Sequence, residues 1–91
     1  MTELTTKERT HLRAQAQRLK PTTAVGKAGL TDAVTATVSR LLDQHELVKI
    51  TVPAGPAQDR HELANSIAHS TSAALVGVVG RTVVLYRPKA E

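Results

Sequence analysis

Pro21-Thr22-Thr23-Ala24-Val25-Gly26-Lys27-Ala28-Gly29-Leu30-Thr31-Asp32 is the stretch around which the rest of the chain arranges itself. Thr22 to Val25 is β-rich and bounded by Pro21, whereas the residues from Leu30 onward carry apolar side chains at helical spacing, with Thr31 placed to cap. The spacing therefore predicts that Gly26-Lys27-Ala28-Gly29 is a tight turn leading from a strand into a helix N-terminus. Two glycines permit positive φ and remove the side chains that would hold a ligand away from the main chain. A helix N-terminus adds unpaired N–H groups and partial positive charge, which favour an anion, and Lys27 adds a full charge. Two readings stand at this point: a turn that needs glycine for steric reasons, and an anion-binding loop.

Spacing excludes two nucleotide-binding motifs. A P-loop needs glycine where Pro21 stands and a hydroxyl where Ala28 stands, so nothing is placed to hold magnesium. A dinucleotide fingerprint needs a third glycine where the chain has Asp32, whose charge would repel a pyrophosphate. What remains is a loop suited to clamping a polymer backbone, as the Gly-x-x-Gly loop of RNA-binding KH domains does.

The surrounding composition is that of a single globular domain spanning 1–91. Ninety-one residues leave no room for a second core, and 41% hydrophobic with 22% charged residues is ordinary for a folded chain. Without cysteine, neither a disulfide framework nor a thiolate metal site is possible. No apolar run approaches the roughly 20 residues of a membrane span, and Met1-Thr2-Glu3-Leu4 lacks the features of a signal peptide, so the expectation is a cytoplasmic protein with no membrane partner. The net charge of +4 is unevenly placed. Residues 1–29 carry six bases against two acids, and 30–79 three bases against five acids. Arg81, Arg87 and Lys89 follow near the end. Positive charge at both chain ends and at the glycine turn points to a polyanion-binding face if folding unites them, and to a merely solvated surface if it does not.

The remaining elements follow from periodicity. Thr5 with Glu8 forms a capping-box pattern ahead of Leu12, Ala16 and Leu19, predicting a helix from about Thr6 to Leu19 that Pro21 stops, with Arg9, Arg13, Gln17 and Lys20 on one flank and Lys7, His11 and Arg18 on the other. Val34, Val38, Leu41 and Leu42 mark a second, core-facing helix, and His45 near its end suits the last carbonyls and the dipole better than a metal. Leu47 to Val52 alternates as a strand with Val48, Ile50 and Val52 inward and Lys49 exposed. Asp59 with Glu62 predicts the start of a third helix carrying Leu63, Ala64, Ile67 and Ala68, on which His61 and His69 stand too far apart to share a metal. Leu75–Val79 and Thr82–Tyr86, joined by Gly80-Arg81, read as a hairpin with glycine first in its turn. The order helix, strand, helix, strand, helix, strand, strand predicts an α/β (α+β) domain, an N-terminal helix before a βαβαββ core with one mixed four-stranded sheet.

Four blocks in sequence, Leu19-Lys20-Pro21, Val25 to Thr31, His45 to Ile50 and Gly80 to Pro88, resemble the CRM domain, also called the CRS1–YhbY domain, over about residues 4–88. The likeness is to its bacterial stand-alone members. It implies an RNA-binding domain similar in shape to the C-terminal domain of translation initiation factor three, acting on precursor large-subunit ribosomal RNA in a pre-ribosomal particle. It also places the family's Gly-x-x-Gly loop on Gly26, Lys27, Ala28 and Gly29, with Lys20 and the first helix beside it. The corresponding expectation is a monomeric, non-enzymatic protein without cofactor or metal, whose phosphate contacts are Lys27, Lys20, Arg13 and Arg18, extended to Lys49 and Arg87. Tyr86 is the only aromatic residue, so base-stacking platforms are unavailable and sequence preference should be slight. The competing expectation is a protein-interaction module that docks on ribosomal proteins or assembly factors and touches RNA incidentally.

Overall fold

The computed structural model describes residues 4–26 and 28–88. Its elements are α1 (Thr6–Ala16), β1 (Thr23–Ala24), α2 (Asp32–His45), β2 (Leu47–Thr51), α3 (Ala57–Ser70), β3 (Ala74–Val79) and β4 (Thr82–Tyr86). The element order expected from the sequence is the one observed. The strands form one mixed sheet in the order β1-β2-β4-β3, with β1 parallel to β2 and the other two neighbouring pairs antiparallel.

Alternation along the strands produces two cores. Val48, Ile50, Val83 and Leu85 turn to one side of the sheet and meet Val38 and Leu42 of α2 and Ala64 and Ile67 of α3. On the other side, Val76 and Val84 pack with Ala16 of α1, joined by half-buried Leu12, Leu47 and Tyr86. The domain is thus three layers, with α1 alone on one side and the α2/α3 pair on the other. Period-2 strands buried on both sides need cover on both, which is why the helix ahead of the βαβαββ core belongs to the fold.

Capping follows the sequence at two helices and departs from it at the third. The Thr5–Glu8 capping box forms in both directions, and Thr31 Oγ1 accepts the Val34 N–H at 3.2 Å. The third helix begins at Ala57 behind Pro56, two residues before the expected Asp59, and has no side-chain cap. Proline supplies the extended residue ahead of the helix. Asp59 then lies in the first turn, where its charge complements the dipole, and Glu62 accepts from Gln58 Nε2 instead of closing a box.

The first helix also ends early. Arg18 N–H donates to Gln15 O and Leu19 N–H to Ala16 O, so the chain tightens into three-residue turns after Ala16. Lys49 caps this end. Its ammonium donates to Ala16 O and Leu19 O at 3.3 Å each, adding a charged donor where the helix carbonyls run out of intrahelical partners. Lys49 is therefore half-buried beneath α1 and not exposed on the sheet as its alternation implied.

Arg87 has a comparable role on the opposite layer. Its guanidinium donates to Ser39 O at 2.7 Å, Thr71 O at 2.6 Å and Asp43 Oδ1 at 2.7 Å, with a side chain 19% exposed. One planar fork thereby ties the middle of α2, the end of α3 and the tail of β4. Arg87→Ala leaves the Thr71 carbonyl without its charged donor and is expected to lower unfolding free energy in urea by about 2–3 kcal/mol, whereas Lys20→Ala on the exposed connection should change it by less than about 0.5 kcal/mol.

Candidate nucleic-acid interface

The glycine turn sits where the spacing put it, between β1 and the N-terminus of the 14-residue α2. Val25 N–H donates to Thr51 O, so the chain leaves the sheet at the C-terminal end of β2, and Gly29 N–H donates to Gly26 O at 3.0 Å to close the turn. Ala28 is exposed, and Lys27 lies outside the described residues.

The two glycines have different explanations. Gly29 has φ +73, the left-handed region where a side chain costs about 1–2 kcal/mol, so the turn itself accounts for it. Gly26 is not among the positive-φ residues, and a Cβ built on it would meet nothing within 4 Å. Neither backbone conformation nor packing requires glycine at position 26. What its missing side chain does provide is access: the main chain ahead of α2 can be approached closely at this position.

The cations proposed from the sequence are distributed unevenly around this turn. Lys20 and Arg18 are exposed on the connection between α1 and β1, and Lys20 lines a concavity of about 470 Å³ with Leu19, Thr22 and His45. The seven residues from Lys20 to Gly26 run along the open edge of β1, a span of about 20 Å at strand rise. Lys20, Arg18 and the turn thus border one edge of the sheet. Arg13 does not. Its guanidinium reaches Val76 O at 3.4 Å and lies over Gly77 on β3, three strands away, or about 14 Å across the sheet. Lys49 and Arg87 are both committed internally, to the end of α1 and to the α2/α3 layer. Their bonds are a physical reason against placing them on a phosphate-binding surface.

Arg81, noted in the sequence only as one of the basic residues near the chain end, is not among the candidate contacts named there. It occupies the Gly80-Arg81 turn, where Gly80 has φ +57, and its Nε donates to Val52 O at 3.3 Å while Val52 N–H donates to Arg81 O. Val52 follows directly on the residue that anchors Val25, so exposed Arg81 stands at the same end of the sheet as the glycine turn. The signal was present in the topology: an antiparallel β4 beside a β2 parallel to β1 forces the β3–β4 turn to that end.

The chain carrying this turn and this sheet matches a known family over nearly its whole length. The model of the CRS1 / YhbY (CRM) domain covers residues 4–87. The chain belongs to the CRM family. The CRM domain is similar to a Haemophilus influenzae protein named "RNA-binding protein", 37% identical over 91 residues that make up 100% of this chain and 92% of the relative. It is also similar to a Bacillus subtilis protein named "Probable RNA-binding protein YqeI", 32% identical over 97% of this chain and 92% of the relative. Among solved structures, the solution structure of the hypothetical protein SAV1595 from Staphylococcus aureus matches with a TM-score of 0.88 and 31% identity, covering 98% of this chain and 93% of the other. The α/β architecture read from the sequence is therefore shared by an experimentally determined relative. No helix among the described residues of this CRM domain is long and apolar enough to cross a membrane.

The contrast between the two glycines is measurable. In urea melts, Gly29→Ala should lower the stability of the CRM domain by about 1–2 kcal/mol, while Gly26→Ala should leave it unchanged within about 0.5 kcal/mol or raise it slightly through the unfolded state.

Proposed function

We propose that this CRM domain is a non-enzymatic, monomeric, cytoplasmic RNA-binding protein that grips precursor large-subunit ribosomal RNA within a pre-ribosomal particle. Family membership and the names of its relatives support RNA as the ligand. The observation that carries the use of the loop is Gly26, a glycine required neither by φ nor by packing, at the entrance to a helix N-terminus. An RNA phosphate approaching there accepts main-chain N–H bonds, and Lys27, Lys20, Arg18 and Arg81 neutralise neighbouring phosphates. Cations spread along some 20 Å of the β1 edge suit a polymer better than a mononucleotide. Such contacts position an RNA more than they specify a sequence.

Arg13 is a weaker candidate for the same RNA, because it borders the opposite edge of the sheet. Lys49 and Arg87 drop out of the proposed contact set, since neutralising a phosphate would require each to abandon its internal acceptors.

With about four phosphates neutralised by Lys27, Lys20, Arg18 and Arg81, affinity for single-stranded RNA should fall with a log–log salt slope of about −2.8, about 50-fold between about 50 and 200 mM salt. Gly26→Ala should weaken binding about tenfold, the equivalent of one lost main-chain bond to phosphate, without loss of stability. The deciding experiment is RNA co-purification from cells with crosslink mapping, comparing the native chain with the folded double variant Lys27→Asp/Ala28→Asp. Enrichment of large-subunit precursor RNA by the native chain alone supports the loop as the clamp. Equal enrichment by both, or a salt slope near zero, refutes it and leaves docking on a protein of the particle as the better account.

A further inference from the structure

The other edge of the sheet is built differently. β3 (Ala74–Val79) is the last strand in the order β1-β2-β4-β3, so one side of its main chain has no strand partner. Along that side runs a groove of about 870 Å³, with Arg9 and Arg13 of α1 on one wall and His61, Asn65 and His69 of α3 on the other. No acidic side chain is among the described residues that line it.

We infer that this groove receives an extended, acidic polypeptide segment, which adds to the sheet as a fifth strand beside β3. Three features lead there. The first is the main-chain edge itself. Val76 O is already bonded by a side chain, the Arg13 Nη2 at 3.4 Å, a long contact from an exposed residue to an acceptor that a neighbouring strand would satisfy with an N–H. The second is an apolar strip suited to alternate side chains of an added strand: Leu75 and Val78 are half-buried, and Val79 at the end of β3 is 62% exposed. The third is charge. Two arginines with two histidines, and no acid among the described lining residues, complement glutamate or aspartate at the outward positions of such a strand.

Charge also decides between occupants. Pairing β3 with the β3 of a second copy would bring the Arg9 and Arg13 of both α1 helices toward one groove, where like charges repel. An RNA would satisfy the arginines but not the row of main-chain donors and acceptors, and none of the lining residues is aromatic to stack a base. An acidic strand meets both demands. Arg13 then exchanges the Val76 carbonyl for a carboxylate of the partner, and moves off Gly77, which it approaches so closely that a Cβ there would stand 3.2 Å from its Nε.

The test uses the intact chain, isotopically labelled, with three probes: a blocked hexapeptide alternating valine and glutamate, its counterpart with lysine for glutamate, and a uridine hexanucleotide. The acidic peptide should shift and slow the exchange of amides within Ala74–Val79, and bind about tenfold or more tightly than the lysine peptide. Arg9→Glu with Arg13→Glu should invert that preference. Arg9→Glu alone, at an exposed residue, should weaken the acidic peptide by about threefold even if the double variant fails to fold. The inference is overturned if the β3 amides do not respond, if the two peptides bind equally, or if the hexanucleotide protects these amides in place of the acidic peptide. Concentration-dependent protection of β3 without any probe would also overturn it, in favour of self-association.

Discussion

The antiparallel ladder between β2 and β4 is the constraint from which the rest of this domain follows. Five consecutive pairs, Leu47 with Tyr86 through Thr51 with Thr82, bind a strand from the middle of the chain to its last strand. Side-chain alternation then forces Val48, Ile50, Val83 and Leu85 to one side and Leu47, Val84 and Tyr86 to the other. A sheet apolar on both sides must be covered on both, so α2 and α3 take one side and α1 the other. Both ends of the ladder are tied beyond the strands themselves, by Arg87 N–H to Glu46 O at one end and Val52 N–H to Arg81 O at the other.

That arrangement sorts the cations by role. A charge under a layer must find carbonyls or a carboxylate, because burying it without partners is expensive. Lys49 finds the two carbonyls that end α1, and Arg87 finds Ser39, Thr71 and Asp43 across the α2/α3 layer. Lys20 and Arg18 stand exposed beside the β1 edge, and Arg81, which gives its Nε to Val52 O, stands exposed at the end of the sheet that carries the glycine turn. Net charge alone could not make this distinction. The same positive charge is mortar in two places and exposed surface in others.

The two sheet edges differ correspondingly. β1 contributes only Thr23 and Ala24 before the chain turns into α2, and its edge is bordered by the glycine turn and lysine. β3 is six residues long, carries a bulge between Leu75 and Gly77, and is flanked by arginine and histidine above an apolar strip. A short edge beside a helix N-terminus suits a phosphate backbone. A long edge with exposed main chain suits another strand.

Local signals were legible in the sequence wherever the physics is local. The Thr5–Glu8 box, the Thr31 cap, the helical spacing of Val34, Val38 and Leu42, the glycine-first hairpin turn and the strand-to-helix glycine turn each depend on residues within a few positions of one another, and each appears as read. Together with the ordered resemblance to the CRM domain they determined the element order and the fold. What sequence could not decide was where long side chains end. Alternation placed Lys49 outward, but outward on that strand is beneath α1, and the same lysine caps the end of that helix. Arg87 stood among basic residues near the chain end, yet its partners lie 16, 44 and 48 positions away. Arg81 reached the loop end of the sheet only through strand order. Local conformation is set by neighbours in the chain, whereas the environment of a flexible cation is set by whatever the tertiary structure brings within the reach of its stem, and only the folded molecule decides that.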